Sequence, residues 1–491
     1  MGKRGCKLFL KKLVELRALC YNNSNHFQER QAIMEKNNEY QVPCLPRGQK
    51  DLELEVPGSK SLTNRALLLA ALADGTSILQ GALFSEDSRY FLKGLKDLGF
   101  EVEADEEQKT VRVKGLGGRM PRKTGRVYVG SAGTAARFLT AMLAFAGGTY
   151  ELDASEQMKK RPMKPLLEAL TGLGVEVNYQ GEVGCFPFVL RSEGIKGGEV
   201  SIDIGVSSQF LSALLMAGTM LPEGLRIHLT GERKALPYVE MTAKLMERFG
   251  VCVRQEKVLG SGEMIWIVPG KSQTACDAGT AVGTRYRAGT YEIEPDLSGA
   301  CYFYTMALLL GISVRIRRVH LDSLQGDKKY LQVLKQLGCQ VEDTPEGVQV
   351  NGRTTEGNGL IEYPGITVNM NDFSDQTMTM AVAAAFAKTP SRIEGVGHIR
   401  FQESNRIAAI VTELGRLGIG CKERSDGLEI YPAAVQPGRV RTYDDHRMAM
   451  AFALIGLRVP GIVIENPGCC AKTFENYFEL LEEIARGCKK R

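Results

Sequence analysis

Histidine is scarce and tryptophan nearly absent from this 491-residue chain, and no paired-cysteine motif or long apolar run compensates. The five histidines, His26, His228, His320, His398 and His446, include no pair at metal-ligand spacing, which argues against a metal centre built by the protein. Twelve cysteines are scattered without a C-x-x-C motif, the one close pair being Cys469-Cys470; they read as reduced thiols of a cytosolic, cytoplasmic protein. No segment reaches the roughly 18 to 20 apolar residues that cross a bilayer, so no membrane partner is expected. A net charge of +5, a single tryptophan, Trp266, and no aromatic-basic stripe disfavour a nucleic-acid partner. The apolar stretch near the N-terminus is broken by Lys11, Lys12, Glu15 and Arg17, a poor secretory signal, so residues 1–39 read as an extension outside the fold.

What the chain does have is repetition. Six times, at intervals of roughly 70 to 90 residues, a short polar or glycine-bearing turn opens into a long, almost uncharged apolar helix. The openings are Lys60-Ser61, Ser131 to Thr134, Ser207 to Gln209, Asp296 to Gly299, Asp372 to Asp375 and Asp444 to Arg447. Ser, Thr, Asp and Gly are residues of helix starts, and a helix apolar on every side must be buried. A second echo, "LKGLKDLGFEVE" at 92–103 with counterparts at 166–178, 242–254, 330–342 and 410–422, reads as amphipathic helix, glycine cap and alternating strand. Units of about 75 residues are too long for a solenoid and suggest internal multiplication.

Helix N-termini carry about half a positive charge and unpaired N–H groups, so starts that converge make an anion site. Basic residues accompany them: Lys60, Arg65, Arg137, Arg161, Arg406, Arg447 and Lys472 lie beside glycine or hydroxyl residues. A lone Arg or Lys is usually a solvated surface cation, but recurrence beside apolar helix starts points to an acidic metabolite.

The string "PGSKSLTNRALLLAAL" at 57–72 is the strongest local signal. It lacks the spacing of a nucleotide-binding P-loop. With "GSAGTAARF" at 130–138, "VSSQF" at 206–210, "DDHRMAM" at 444–450 and "CCAKTFENYF" at 469–478, it resembles the 5-enolpyruvylshikimate-3-phosphate synthases, over about residues 40 to 485. The resemblance implies an α/β fold of two domains, each of three βαβαββ units arranged as an inside-out barrel around buried helices, with the site in the cleft. One domain would be 58–292, the other 40–57 plus 293–486, and 487–491 a basic tail.

It also implies the reaction: the 5-hydroxyl of shikimate-3-phosphate attacks C2 of phosphoenolpyruvate, C3 is protonated, and phosphate leaves a tetrahedral intermediate. No cofactor is implied, and a monomer is the default. Carried over by position, Lys60, Ser61, Arg65, Ser207, Ser208, Gln209, Asp327, His398 and Gln402 would contact shikimate-3-phosphate. Lys60, Gly133, Arg161, Gln209, Arg406, Arg447 and Lys472 would contact phosphoenolpyruvate. Asp327 would be the base, Glu403 would handle the second proton, and Lys60 and Lys472 are rival proton donors. His446 reads as a structural residue ordering the loop of Arg447.

Several positions depart from the pattern. Ala235 replaces a serine, His398 and Gln402 stand where Asn and Lys commonly approach the 3-phosphate, and Asn405 replaces an aspartate. Phe138 replaces a proline behind Gly133, which implies an altered response to glyphosate, an inhibitor of this family. The rival readings are a catalytically silent relative that binds phosphorylated metabolites, the related UDP-N-acetylglucosamine enolpyruvyl transferase, disfavoured by Lys60-Ser61 and the lack of cysteine at 152–163, and an RNA-processing relative.

Overall fold

The computed structural model describes residues 38–45, 51–231, 235–258, 263–271, 283–352 and 362–487. Nearly all of the expected N-terminal extension, and 488–491 of the expected tail, lie outside the described residues. Among the described residues, five four-stranded sheets and one three-stranded sheet are formed, each carrying a buried helix and an amphipathic one.

Residues 124–192 show the unit at its clearest. Strand Thr124–Tyr128 leads into helix Gly133–Phe145, then into the parallel strand Gly148–Asp153, helix Lys164–Gly172 and the hairpin Glu176–Tyr179 and Phe188–Ser192. The strand order within the unit is first, second, fourth, third; four of the five four-stranded sheets follow it in sequence order, and in the fifth Thr290–Glu292 occupies the first position. Every residue of helix Gly133–Phe145 is buried, as is every residue of helix Leu297–Leu310. The outer helices end on glycines with positive φ at the same place in each unit: Gly99, Gly174, Gly250, Gly338 and Gly418, at 94°, 96°, 92°, 97° and 83°. These are left-handed C-terminal caps, and they turn the chain into the third strand.

Two strands are exchanged between units. Leu52–Leu54 precedes the Lys60 helix in sequence yet pairs in parallel with Ser313–Ile316, while Thr290–Glu292 precedes the Leu297 helix yet pairs with Asp74–Gln80. The chain therefore passes twice between halves. The two passages lie side by side: Ser59 N donates to Glu294 O and Asp296 N to Pro57 O, each at 2.8 Å. Buried apolar residues fall into two clusters, one from Leu62 to Ile293 and one from Tyr40 to Val56 and Leu297 to Ile484. The last unit is short, and Glu39–Gln41 completes its sheet by pairing with Ile462–Glu465.

The architecture is the expected one of repeated units around buried helices. The six sheets are separate ladders and do not join edge to edge into a closed barrel among the described residues. Each sheet shields its own helices, so no closure is needed to bury them.

At the paired passages a Cβ on Gly58 would lie 2.0 Å from the Gly81 carbonyl oxygen, whereas one on Gly172 would meet nothing within 4 Å. Gly58→Ala is expected to cost about 1–3 kcal/mol, and Gly172→Ala to cost nothing. Urea unfolding midpoints for the two variants check this; an unchanged midpoint for Gly58→Ala would mean the passages can part freely.

Candidate functional site in the cleft between the halves

Five of the six buried helices bring residues of their N-terminal turns or openings to a common cavity. Lining it are Lys60, Ser61 and Arg65 from the first opening, Gly133, Thr134 and Arg137 from the second, Arg161, and Val206 to Gln209 from the third. The other half supplies Ser374, Asp375, His398, Phe401, Gln402, Glu403, Arg406 and Arg447. Local chemistry explains the starts. Ser59 accepts from Leu62 N, Ser207 Oγ from Gln209 N and Asp445 from Arg447 N, so each cap holds a functional side chain at the cleft wall.

Arg406 organises the second half's wall. Although 1% exposed, it donates through Nε to Asp445 at 2.8 Å, through Nη1 to Asp375 at 3.1 Å and through Nη2 to Glu403 at 2.9 Å. Gln402 Oε1 also accepts from it. Arg447 Nη2 reaches the other oxygen of Asp375 at 2.7 Å. Glu403 Oε1 lies 3.6 Å from Lys472 Nζ and 3.8 Å from Arg161 Nη1, the latter from the opposite half. Gln157 Nε2 adds a cross-cleft bond to the Glu403 carbonyl at 3.2 Å.

These contacts set the charges. Burial alone would raise Glu403, but Arg406, Lys472, Arg161 and Lys60 together hold its carboxyl well below the usual range. Asp375 is likewise buried, and Arg447 and Arg406 hold it below the ordinary value. The first half's wall is built differently. Arg65 has no carboxylate: it donates to Thr242 Oγ1 at 2.7 Å, Ser61 O at 3.0 Å and Tyr238 O at 3.2 Å, and burial pushes it down to about 9. Burial, and then the neighbouring Arg161, pushes Arg137 well below its ordinary value. A Cβ on Gly133 would sit 3.0 Å from Arg161 Nη1, so glycine leaves room for that guanidinium.

The candidates from sequence therefore share one cavity, with two differences. Lys472 stands behind Glu403 without lining the cavity. Asp327, expected at the reacting hydroxyl, does not line it either. It is 2% exposed and accepts from Gln376 Nε2 at 2.9 Å, and burial followed by the charge of Asp375 raises its carboxyl. The carboxylates in the wall are Asp375, Glu403 and Asp87. Sequence reasoning had Asp375 as a helix opening only, although an acid directly before a buried helix was the available signal. Asp87, Tyr238 and Asp445 were also missed.

A profile of the EPSP synthase family, 3-phosphoshikimate 1-carboxyvinyltransferase, matches residues 47–481. The chain is 43% identical over 438 residues to the 3-phosphoshikimate 1-carboxyvinyltransferase of Nostoc punctiforme, covering 89% of this chain and 97% of that one. This chain belongs to the EPSP synthase family. The chloroplastic 3-phosphoshikimate 1-carboxyvinyltransferase of Arabidopsis thaliana is 39% identical, with 88% and 82% covered. In fold, the EPSP synthase structure from Acinetobacter baumannii superposes with a TM-score of 0.71 at 23% identity, covering 91% of this chain and 98% of that one.

Within that family frame the departures acquire positions. Ala235 takes a left-handed conformation, φ 55°, as the N-cap of helix Leu236–Arg248 and lines the cavity. His398 Nε2 lies 2.9 Å from Ser374 Oγ. Asn405 caps its helix by accepting from Ala408 N. Phe138 is fully buried, with the Arg65 guanidinium 5.2 Å over its ring.

His446 is 1% exposed, and burial, then Lys60 and Arg447, holds its pKa well below the usual value. Below about pH 6.5 the unfolded chain takes up a proton at this ring that the native state refuses, so stability falls with falling pH by up to ~1.4 kcal/mol per unit. Glu403 and Asp375 have the opposite charge type but the same sign of effect: their contribution is complete above about pH 5 and is lost as pH drops through their lowered values. Urea midpoints between pH 7.5 and 5 are expected to slope less for His446→Gln than for the parent; identical slopes would show that His446 titrates normally.

Proposed function

We propose that this chain transfers the enolpyruvyl group of phosphoenolpyruvate to the 5-hydroxyl of shikimate-3-phosphate, releasing inorganic phosphate. The observation that carries the reading is one cavity lined by cations from both halves, in a chain whose relatives carry the name of that reaction. Both substrates are polyanions, and convergent helix starts with arginines suit them.

Shikimate-3-phosphate would lie against Lys60, Ser61, Arg65 and Ser207 to Gln209, with His398 and Gln402 approaching from the other half. Phosphoenolpyruvate would lie against Lys60, Gly133, Arg161, Gln209, Arg406, Arg447 and Lys472. Asp375, ionised and in the wall, takes the hydroxyl proton as that oxygen bonds to C2. The electron pair of the C2–C3 double bond takes a proton onto C3 from Lys60 or Lys472. Loss of a C3 proton then restores the double bond as the C2–O bond to phosphate breaks; Glu403, held ionised by its four cations, is placed to accept it. Asp327 lies behind this wall and accepts from Gln376 Nε2.

The two-part core supports a division into domains 58–292 and 40–57 plus 293–486, closing on ligand about the paired passages. A reducing, cytoplasmic compartment fits the eight described cysteines, none of them in a disulfide, and a monomer is the state proposed. No helix among the described residues is long and apolar enough to cross a membrane.

The test is phosphate release with both substrates present. Asp375→Ala is expected to lower kcat by about 10²- to 10⁴-fold, and Asp327→Ala by a smaller factor. The reverse order would return the base to Asp327. Calorimetric binding of both substrates without phosphate release by the parent would leave a metabolite-binding protein.

A further inference from the structure

The cations of the first half differ in how their charge is answered. Arg65 and Arg137 donate to hydroxyls, carbonyls and a thioether, and Arg161 reaches across the cleft to Glu403. Lys60 alone among these meets a carboxylate of its own half: its Nζ lies 3.3 Å from Asp87 Oδ2.

Asp87 is in an unusual position for an acid. It is 1% exposed, it lines the cavity, and its second oxygen, Oδ1, is buried with no hydrogen-bond partner. Capping does not explain it. The helix Glu86–Asp97 is already capped by Ser85 and Ser88, with Ser85 N donating to Ser88 Oγ at 2.8 Å. A buried carboxylate with an unsatisfied oxygen is a cost to folding. The helix that carries it is fixed by Phe91 and Leu95, both fully buried, so the carboxylate is held in place.

We propose that Asp87 is a positioning residue for the reaction, fixing the Lys60 ammonium at the cleft wall where the phosphoenolpyruvate anion arrives. The lysine stem has four rotatable bonds and a compact, strongly hydrated charge. Asp87 removes that freedom before substrate binds, and it keeps Lys60 from collapsing onto Glu403, whose charge also attracts it. The role rests on the enolpyruvyl-transfer reading above.

The experiment is a double-mutant cycle on Asp87→Asn and Lys60→Met, reading phosphoenolpyruvate affinity by calorimetry at saturating shikimate-3-phosphate, together with kcat and melting temperature. Asp87→Asn is expected to weaken binding about 10- to 100-fold in the parent and hardly at all once Lys60 is gone, with the melting temperature unchanged or raised. An equal effect in both backgrounds, or a lower melting temperature with affinity and kcat intact, overturns the proposal in favour of a structural role. Should Asp87→Asn not fold, Asp87→Ala with added formate replaces it: restored turnover supports the role, and no restoration overturns it. Absence of turnover in the parent itself would instead remove the reaction assignment.

Discussion

The cleft depends on a buried arginine that holds three carboxylates at once. Arg406 joins Asp445, Asp375 and Glu403, and each of those acids places a further cation: Asp445 caps the helix that begins at His446 and carries Arg447, Asp375 holds the Arg447 guanidinium, and Glu403 gathers Lys472 and Arg161. Removing one partner of such a cluster leaves an uncompensated buried charge, which is far more costly than the pair is stabilising. The cluster therefore fixes geometry more than it adds stability. It also joins the halves, because Arg161 comes from the other side of the cleft.

The two walls handle charge in opposite ways. In the second half the cations are neutralised in advance by acids, whereas Arg65 and Arg137 in the first half are buried on neutral acceptors and against aromatic rings. An arriving dianion meets one wall where Arg65 and Arg137 rest on neutral acceptors and one whose counter-charge is already ionised. Attraction comes mainly from the first, and proton acceptance from the second.

Much of this was legible in the sequence. The six polar openings became six buried helices, and the five glycines after the outer helices took the left-handed backbone their spacing implied. The strand exchange at residues 52–54 and 290–292 was legible only as a suspected crossing, because short strands carry no mark of their partner. The choice between Asp327 and Asp375 was not legible from periodicity. Both acids begin helices, and only the fold shows that Gln376 covers one while the other, held by two arginines, lines the cavity. Asp87 was hidden for a related reason: an acid in the first turn of an amphipathic helix looks like a dipole partner until its burial is seen.

The central claim is that one anion is shared by cations of both halves. Calorimetry of phosphoenolpyruvate binding at saturating shikimate-3-phosphate, on Arg161→Ala and Arg447→Ala, tests it most directly. Large losses of affinity in both variants, about tenfold or more for each lost charge-assisted contact, are the expected result. Loss in only one of them would place the anion on a single wall and contradict the account.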